Sequence, residues 1–167
     1  ILILDSVRLT TVDISLNKNI DRKSQVKKVY DNLILELNQI IISNYSTFNI
    51  LHIITTKCKV DNETFLEIPE GQFAEKNIKI EFKVICFPKK LIEKIKKNFI
   101  NKNLKLENLF CASYIKTLNY LKKIDFKNVA FFEIGWERTS LISYQNNELK
   151  IIETIPIGSN HITKDIS

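Results

Sequence analysis

Two stretches near the C-terminal end hold the side chains with chemical potential: Phe131-Phe-Glu-Ile-Gly-Trp-Glu-Arg-Thr-Ser140 and Ile155-Pro-Ile-Gly-Ser-Asn-His-Ile-Thr-Lys-Asp165. Arg138 carries the planar donor fork that suits a phosphate. Glu133, at the end of the preceding strand, and Glu137, within the turn, lie close by, however, and an ion pair with one of them ranks ahead of phosphate binding. Trp136 reads as a packing or interface residue before a base-stacking platform. His161, Thr163 and Asp165 are the residue types of a proton-transfer set. The ordinary alternative is capping in a helix first turn, where the dipole favours an aspartate regardless of chemistry. Gly158 reads as the turn between strand and helix, with Ser159 or Asn160 as the N-cap. His52, inside an apolar strand, reads as a half-buried side chain rather than a ligand. No Ser/His/Asp or Cys/His nucleophile set can be assembled. With two histidines and no C-x-x-C, a metal site is not expected either.

The elements that must position these residues divide near residue 103. Val7-Arg-Leu-Thr-Thr-Val-Asp-Ile-Ser15 alternates like a strand, and Asn17 to Asp21 is a polar turn. From Lys23 to Ser43, Val26, Val29, Tyr30, Leu33, Leu35, Leu37, Ile40 and Ile41 mark a long helix with one side on a sheet. Phe48 to Val60 and Asn77 to Phe87 are strands rich in Ile, Val and Phe, separated by a loop with Pro69 and Gly71. A helix from Lys89 follows, apolar at Leu91, Ile92, Ile95, Phe99 and Ile100 and lysine-rich opposite. The expected product is a small α+β layer of two helices on a three-stranded sheet. Beyond it, Leu104 to Phe110 reads as a short strand and Cys111 to Leu121 as a short helix with Tyr114, Leu118 and Leu121 on one face. Strands Val129 to Gly135, Thr139 to Tyr144 and Leu149 to Pro156 then form a meander. Its second turn, Gln145-Asn-Asn-Glu148, suits a hairpin because Asn tolerates positive φ. A helix beginning near Ser159 or Asn160 closes the sequence.

Composition sets the outer limits. The 167 residues, 44% hydrophobic, can form one ordinary core or one and a half small ones. The absence of Met and the opening run Ile1-Leu-Ile-Leu4 suggest a piece of a longer protein. That run is too short for a membrane span and has neither the cationic flank nor the cleavage site of a signal peptide. Cys58, Cys86 and Cys111 are widely spaced among apolar residues, as expected of reduced core thiols in a cytoplasm. The net charge of +6 draws attention to Lys89-Lys-Leu-Ile-Glu-Lys-Ile-Lys-Lys-Asn-Phe-Ile-Asn-Lys102. The bland reading, a solvated helix face, ranks ahead of a nucleic-acid patch, since arginines and exposed aromatics are scarce there. An acidic partner or an anionic membrane leaflet stays open.

The order of elements and several short motifs resemble the cell-division actin homologues of the FtsA family, within the actin-like ATPase superfamily. Leu51-His-Ile-Ile54, Val60-Asp61 and Pro69-x-Gly71 resemble that family's L-H-x-I-P-x-x-Y-x-I-D stretch and its later N-P-x-G, with Thr55 in place of Pro. Leu104-Lys-Leu-Glu-Asn-Leu-Phe110 resembles G-L-x-V-x-x-L-I, with Asn103 in place of Gly. The closest fit is Ile155-Pro-Ile-Gly-Ser-Asn-His-Ile-Thr-Lys-Asp-Ile166 against I-P-x-G-G-x-x-I-T-x-D-I. The second phosphate loop of the superfamily reads D-I-G-G-G-T-x-D, its glycines letting a tight turn bring backbone N–H groups up to phosphates.

The resemblance implies an actin-like (ribonuclease H-like) α+β fragment. Residues 1–103 would be an inserted strand-helix-strand-strand subdomain, and 104–167 the start of the second actin-like half. It also implies a cytoplasmic adaptor on the inner face of the membrane at the division site. Such an adaptor polymerises, binds ATP with Mg²⁺, tethers the FtsZ ring and recruits later division proteins of the septum. Carried over, the phosphate loop keeps Gly135 and Thr139, has Glu133 for Asp, and continues to Gly158. Trp136, Glu137 and Arg138 replace Gly, Gly and Thr, so the loop reads as degenerate, because an indole and a carboxylate oppose a close anion. Glu133 is then either the organiser of a Mg²⁺-bound water or a surface residue paired with Arg138. Two alternatives accompany this expectation: a functioning ATPase whose first loop makes most phosphate contacts, and the pilus-assembly actin homologue PilM.

Overall fold

The computed structural model describes residues 1–166, the side chains of Ile162, Lys164, Asp165 and Ile166 excepted. In chain order the elements are β1 (Leu2–Leu4), β2 (Thr10–Asn19), β3 (Ser24–Gln25), α1 (Val26–Asn44), β4 (Phe48–Val60), β5 (Glu63–Phe65), β6 (Phe73–Ala74) and β7 (Asn77–Pro88). There follow α2 (Lys89–Ile100), β8 (Leu109–Cys111), α3 (Ala112–Leu121), β9 (Val129–Ile134), β10 (Thr139–Gln145), β11 (Glu148–Ile155) and α4 (Ser159–Ile166).

The first layer is an antiparallel sheet in the order β2-β7-β4-β5. Its expected three strands gain a short fourth, because the Pro69–Gly71 loop is not free chain. β5 folds back on the end of β4, pairing Cys58 with Phe65, and β6 pairs with β3 ahead of the helix. Asp61 fixes this return: at φ 53° its carboxylate accepts the backbone N–H groups of Asn77, Glu75 and Lys76 at 3.0, 3.1 and 2.8 Å. Those bonds, Asn77's first, hold its carboxyl below the ordinary value. β2 begins at Thr10, not Val7, and runs through the expected turn to Asn19, since every residue of that stretch finds a partner on β7.

Helix α1 packs on this sheet through Val26, Val29, Leu33, Leu37 and Ile41, spaced three or four apart along one stripe. Leu35, expected on that stripe, is 63% exposed, because its place in the helical turn points it outward. Opposite the helix stand Ile78, Ile80, Phe82 and Val84 of β7 and Cys58 of β4, and together they form the main core. Cys58, Cys86 and Cys111 are all buried and free. Burial pushes the first two thiols up to about 11.

The second layer is the antiparallel meander β9-β10-β11. Its second turn is built as the sequence predicts: Asn146 and Asn147 adopt φ 53° and 63°, the left-handed pair of a tight hairpin. The expected strand from Leu104 shortens to β8, which pairs in parallel with β1. On α3 the buried face is Ala112, Ser113 and Thr117 rather than Tyr114, Leu118 and Leu121, which are half-buried. Small side chains let this helix lie close to the sheet. A β-bulge after Ile50 turns His52 toward this second layer. Its Nε2 accepts the Cys111 N–H at 2.9 Å, and its ring lies 5.0 Å from that of Tyr114 and 5.7 Å from that of Phe110. Burial lowers its pKa, consistent with an unprotonated acceptor nitrogen. Among the described residues, no helix is long and apolar enough to cross a membrane.

Candidate functional site

Strands β9 and β10 bring the turn from Gly135 to Thr139 against the start of α4, with the carboxylate of Glu133 on the β9 side of the turn facing Lys116 and Arg138. The turn closes on itself, since the Gly135 N–H donates to the Arg138 carbonyl at 2.7 Å. Its first two carbonyls face the helix. Gly135 accepts from the Ser159 N–H at 2.9 Å and from the Ser159 hydroxyl at 3.3 Å, and Trp136 accepts from the Asn160 N–H at 3.0 Å. A helix N-terminus leaves its first N–H groups without intrahelical partners, and these are the groups that bind anions in many proteins. Here the hairpin uses two of them.

Gly158 is where the two segments touch. A Cβ placed there would lie 2.5 Å from the carbonyl oxygens of both Gly135 and Trp136 and 2.6 Å from the Arg138 nitrogen. Its role is close approach, because a side chain would push the helix off the hairpin. The Gly158 N–H donates to His161 Nδ1 at 3.1 Å, and the His161 N–H donates back to the Gly158 carbonyl at 3.0 Å. His161 therefore takes part in capping, with its Nδ1 spent as an acceptor. Thr163 donates its hydroxyl to the Ser159 carbonyl at 3.1 Å, and Thr139 donates to the Ile157 carbonyl at 2.7 Å. The Asp165 side chain, the third member of the possible proton-transfer set, lies outside the described residues.

The turn's most buried polar side chain is Arg138, 4% exposed. Its guanidinium donates to the Ser140 hydroxyl, pairs with Asp5 just beyond β1 and lies 3.7 Å from Glu133. Ser140 continues the polar chain to Thr154 on β11, at 3.1 Å. Glu133 is also held from the other side by Lys116 of α3. Glu137 is exposed, so of the two acids weighed as partners of Arg138 only Glu133 is near it. Burial pulls the guanidinium below its ordinary value. Nε and Nη2 of Arg138 and Oε2 of Glu133 stay buried without a hydrogen bond, so Asp5 and Glu133 meet Nη2 as ion pairs alone. Asp5, the principal counter-charge, had no signal in the sequence: it lies 133 residues before Arg138 and in no motif. Trp136 is 64% exposed and in contact with solvent rather than with the core.

An incoming phosphate would need free N–H groups and an uncommitted cation, and a Mg²⁺ would need an uncommitted carboxylate. In this geometry the helix amides of Ser159 and Asn160 are bonded to turn carbonyls, and the guanidinium of Arg138 and the carboxylate of Glu133 are held in ion pairs inside the protein. Among the described residues, no group of three or more His, Cys, Asp and Glu side chains is placed to hold a metal.

No family model matches the chain. In sequence it is similar to the cell division protein FtsA of Helicobacter pylori, strains 26695 and J99. It is 25% identical to each over 120 residues, covering 71% of this chain and 24% of the relative. The chain thus spans about a quarter of the length of the curated relatives it matches. In structure it superposes on a chain of the PilM-PilN type IV pilus biogenesis complex with a TM-score of 0.65 and 13% identity, over 98% of this chain and 44% of that one. The mixed α/β architecture, with its two layers joined through β8 and His52, is accordingly that of an actin-like ATPase fold resembling FtsA in sequence and PilM in shape.

Proposed function

We propose that this chain is part of a division adaptor of the FtsA kind, acting through protein contacts, whose second phosphate hairpin no longer receives a nucleotide. Residues 1–103, apart from β1, which pairs with β8 at the base, serve as the inserted, partner-binding subdomain, and residues 104–167 open the second actin-like half. The whole protein would work in the cytoplasm at the inner face of the membrane. There it would self-associate into filaments, tether FtsZ and recruit later division proteins. The sequence similarity to FtsA over 120 residues supports the adaptor reading. The observation that carries the loss of nucleotide binding is the self-occupied hairpin: two α4 amides bonded to turn carbonyls, with Arg138 neutralised by Asp5 and Glu133. Gly135, Thr139 and Gly158 then keep a structural use, as turn, tie and contact point, where relatives of the superfamily would use them around ATP.

Titration of the full-length protein with ATP and Mg²⁺ tests this directly. The expected parent shows no saturable micromolar binding, while the triple variant Trp136→Gly, Glu137→Gly, Arg138→Thr gains measurable affinity. Micromolar binding by the parent sinks the proposal and favours a functioning ATPase whose first loop supplies most phosphate contacts. The structural likeness to PilM over almost the whole chain favours a second reading, recruitment of a pilus-assembly protein. Capture of FtsZ polymers by the full-length protein supports the first reading. Failure with FtsZ and capture of an inner-membrane pilus component supports the second.

A further inference from the structure

The charge of this chain is concentrated in one place. From Lys89 to Lys105 the sequence carries seven lysines and one glutamate, a net of +6 that equals the charge of the whole chain. The other residues hold eighteen basic and eighteen acidic side chains, so the rest of the molecule is balanced. Within α2, Lys90, Lys94 and Lys97 follow one another at intervals of four and three residues and share an exposed stripe. Ile92 is buried behind them, with Leu91, Ile95 and Phe99 half-buried. Among the described residues, Lys105 is the one lysine of the seven in an ion pair, with Glu107 at 3.3 Å.

The way α2 ends adds a second element. Asn103 adopts φ 56°, the Leu104 N–H reaches back to the Phe99 carbonyl at 2.9 Å, and the Asn103 N–H bonds to the Ile100 carbonyl at 2.9 Å. This left-handed stop turns the chain sharply. It leaves Ile100 66% and Leu104 54% exposed, side by side at the rim of a shallow depression that Lys96 and Lys105 also line. Isolated exposed aliphatics are ordinary; two of them adjoining the molecule's entire excess of positive charge are not.

We propose that this face of α2 docks on an anionic lipid bilayer, with the lysine stripe at the level of the headgroup phosphates and Ile100 and Leu104 seated among the headgroups. Charge complementarity names an anion, and three features favour a lipid surface over other polyanions. The patch contains no arginine and no exposed aromatic, so it lacks the forks and stacking platforms with which proteins hold nucleic acid. It is the convex side of a helix, with no unpaired strand edge to set the register of an acidic peptide. Its two aliphatics stand together at the rim of a shallow depression and not along a deep groove, as interfacial anchors do. The proposal is independent of the adaptor reading and of the nucleotide question.

Flotation of the full chain with vesicles of phosphatidylcholine containing one third phosphatidylglycerol, against phosphatidylcholine alone, tests it. The expected chain floats with the anionic vesicles only and is released by added salt. Changing Lys90, Lys94 and Lys97 together to Gln weakens flotation by roughly a hundredfold, since each lysine near such a surface is worth about a fivefold factor. The double variant Ile100→Ser, Leu104→Ser weakens it by about tenfold while keeping the preference for anionic vesicles. All these positions are exposed, and a far-ultraviolet circular dichroism spectrum unchanged from the parent shows that the variants fold. The proposal is overturned if the chain ignores anionic vesicles, floats equally on neutral ones, or floats undiminished after the triple change. It is also overturned if duplex DNA or polyglutamate captures the chain at concentrations where vesicles do not.

Discussion

The sheet under α1 and the hairpin against α4 are stabilised by different physics. Under α1, Leu33, Leu37 and Ile41 meet Ile80, Phe82 and Val84, and the region is held by burial that has no preferred direction. At the hairpin, the apolar support shrinks to a small cluster around Ile142, Leu149 and Ile152. The end of the sheet is instead closed by directed contacts: carbonyls onto helix amides, Arg138 onto Asp5, Glu133 and Ser140. A burial-driven region tolerates exchanges of similar volume. A polar closure does not, because one missing partner strands the others away from water.

Three changes separate the two regimes, the largest first. Phe82→Ala removes a ring 1% exposed at the centre of the main core. It is expected to cost roughly 3–5 kcal/mol in chemical denaturation, lost cooperatively across the sheet. Arg138→Ala leaves Asp5 and Glu133 facing each other without their cation. Breaking a fully buried pair costs roughly 3–5 kcal/mol, and partial exposure of both acids reduces this to about 2 kcal/mol. Its signature is local: hydrogen exchange should accelerate at Ser159 and Asn160 while the amides of β7 keep their protection. A result in which both regions exchange faster together would merge the two regimes into one.

The smallest effect concerns the joint between them. His52 is neutral in the fold, with its pKa lowered by burial from 6.5. The unfolded chain therefore binds a proton that the folded chain refuses, in the window below about pH 6.5 and above the folded value. Stability is full above that window and falls as the pH drops through it. His52→Gln keeps an acceptor for the Cys111 N–H and is expected to flatten this part of the profile, read as the denaturation midpoint from neutral pH down to about pH 5. An unchanged slope would assign the dependence to other groups.

Much of the burial-driven half was legible in the sequence. The stripe of α1, the long strands β4 and β7 and the Asn146-Asn147 turn all follow from periodicity or from side-chain tolerance of positive φ, which are local properties. Leu35 was misplaced because a run of alternating leucines mimics a strand pattern within a helix. The start of β2 was misplaced because strand ends are set by the partner strand. The hairpin was legible as a turn with unusual residues, and the pairing of Arg138 with Glu133 followed from their proximity in sequence. Its decisive partners were not legible: Asp5, the amides of α4 and the parallel pairing of β1 with β8 are all contacts across long separations that no spacing encodes. Asn103 illustrates the middle case, since asparagine tolerates the left-handed conformation that the end of α2 requires, yet only the fold shows that the helix stops there.

The β1–β8 pair has a topological meaning of its own. Leu2, Ile3 and Leu4 run beside Leu109, Phe110 and Cys111, so the chain departs from this ladder and returns to it one strand spacing away, about 5 Å. Everything between, including the main core and α2, is an excursion with both feet on the same spot. Such an excursion can grow, shrink or exchange its outward surface without disturbing the register at its base. That arrangement lets one face of a protein diversify while the other keeps its shape.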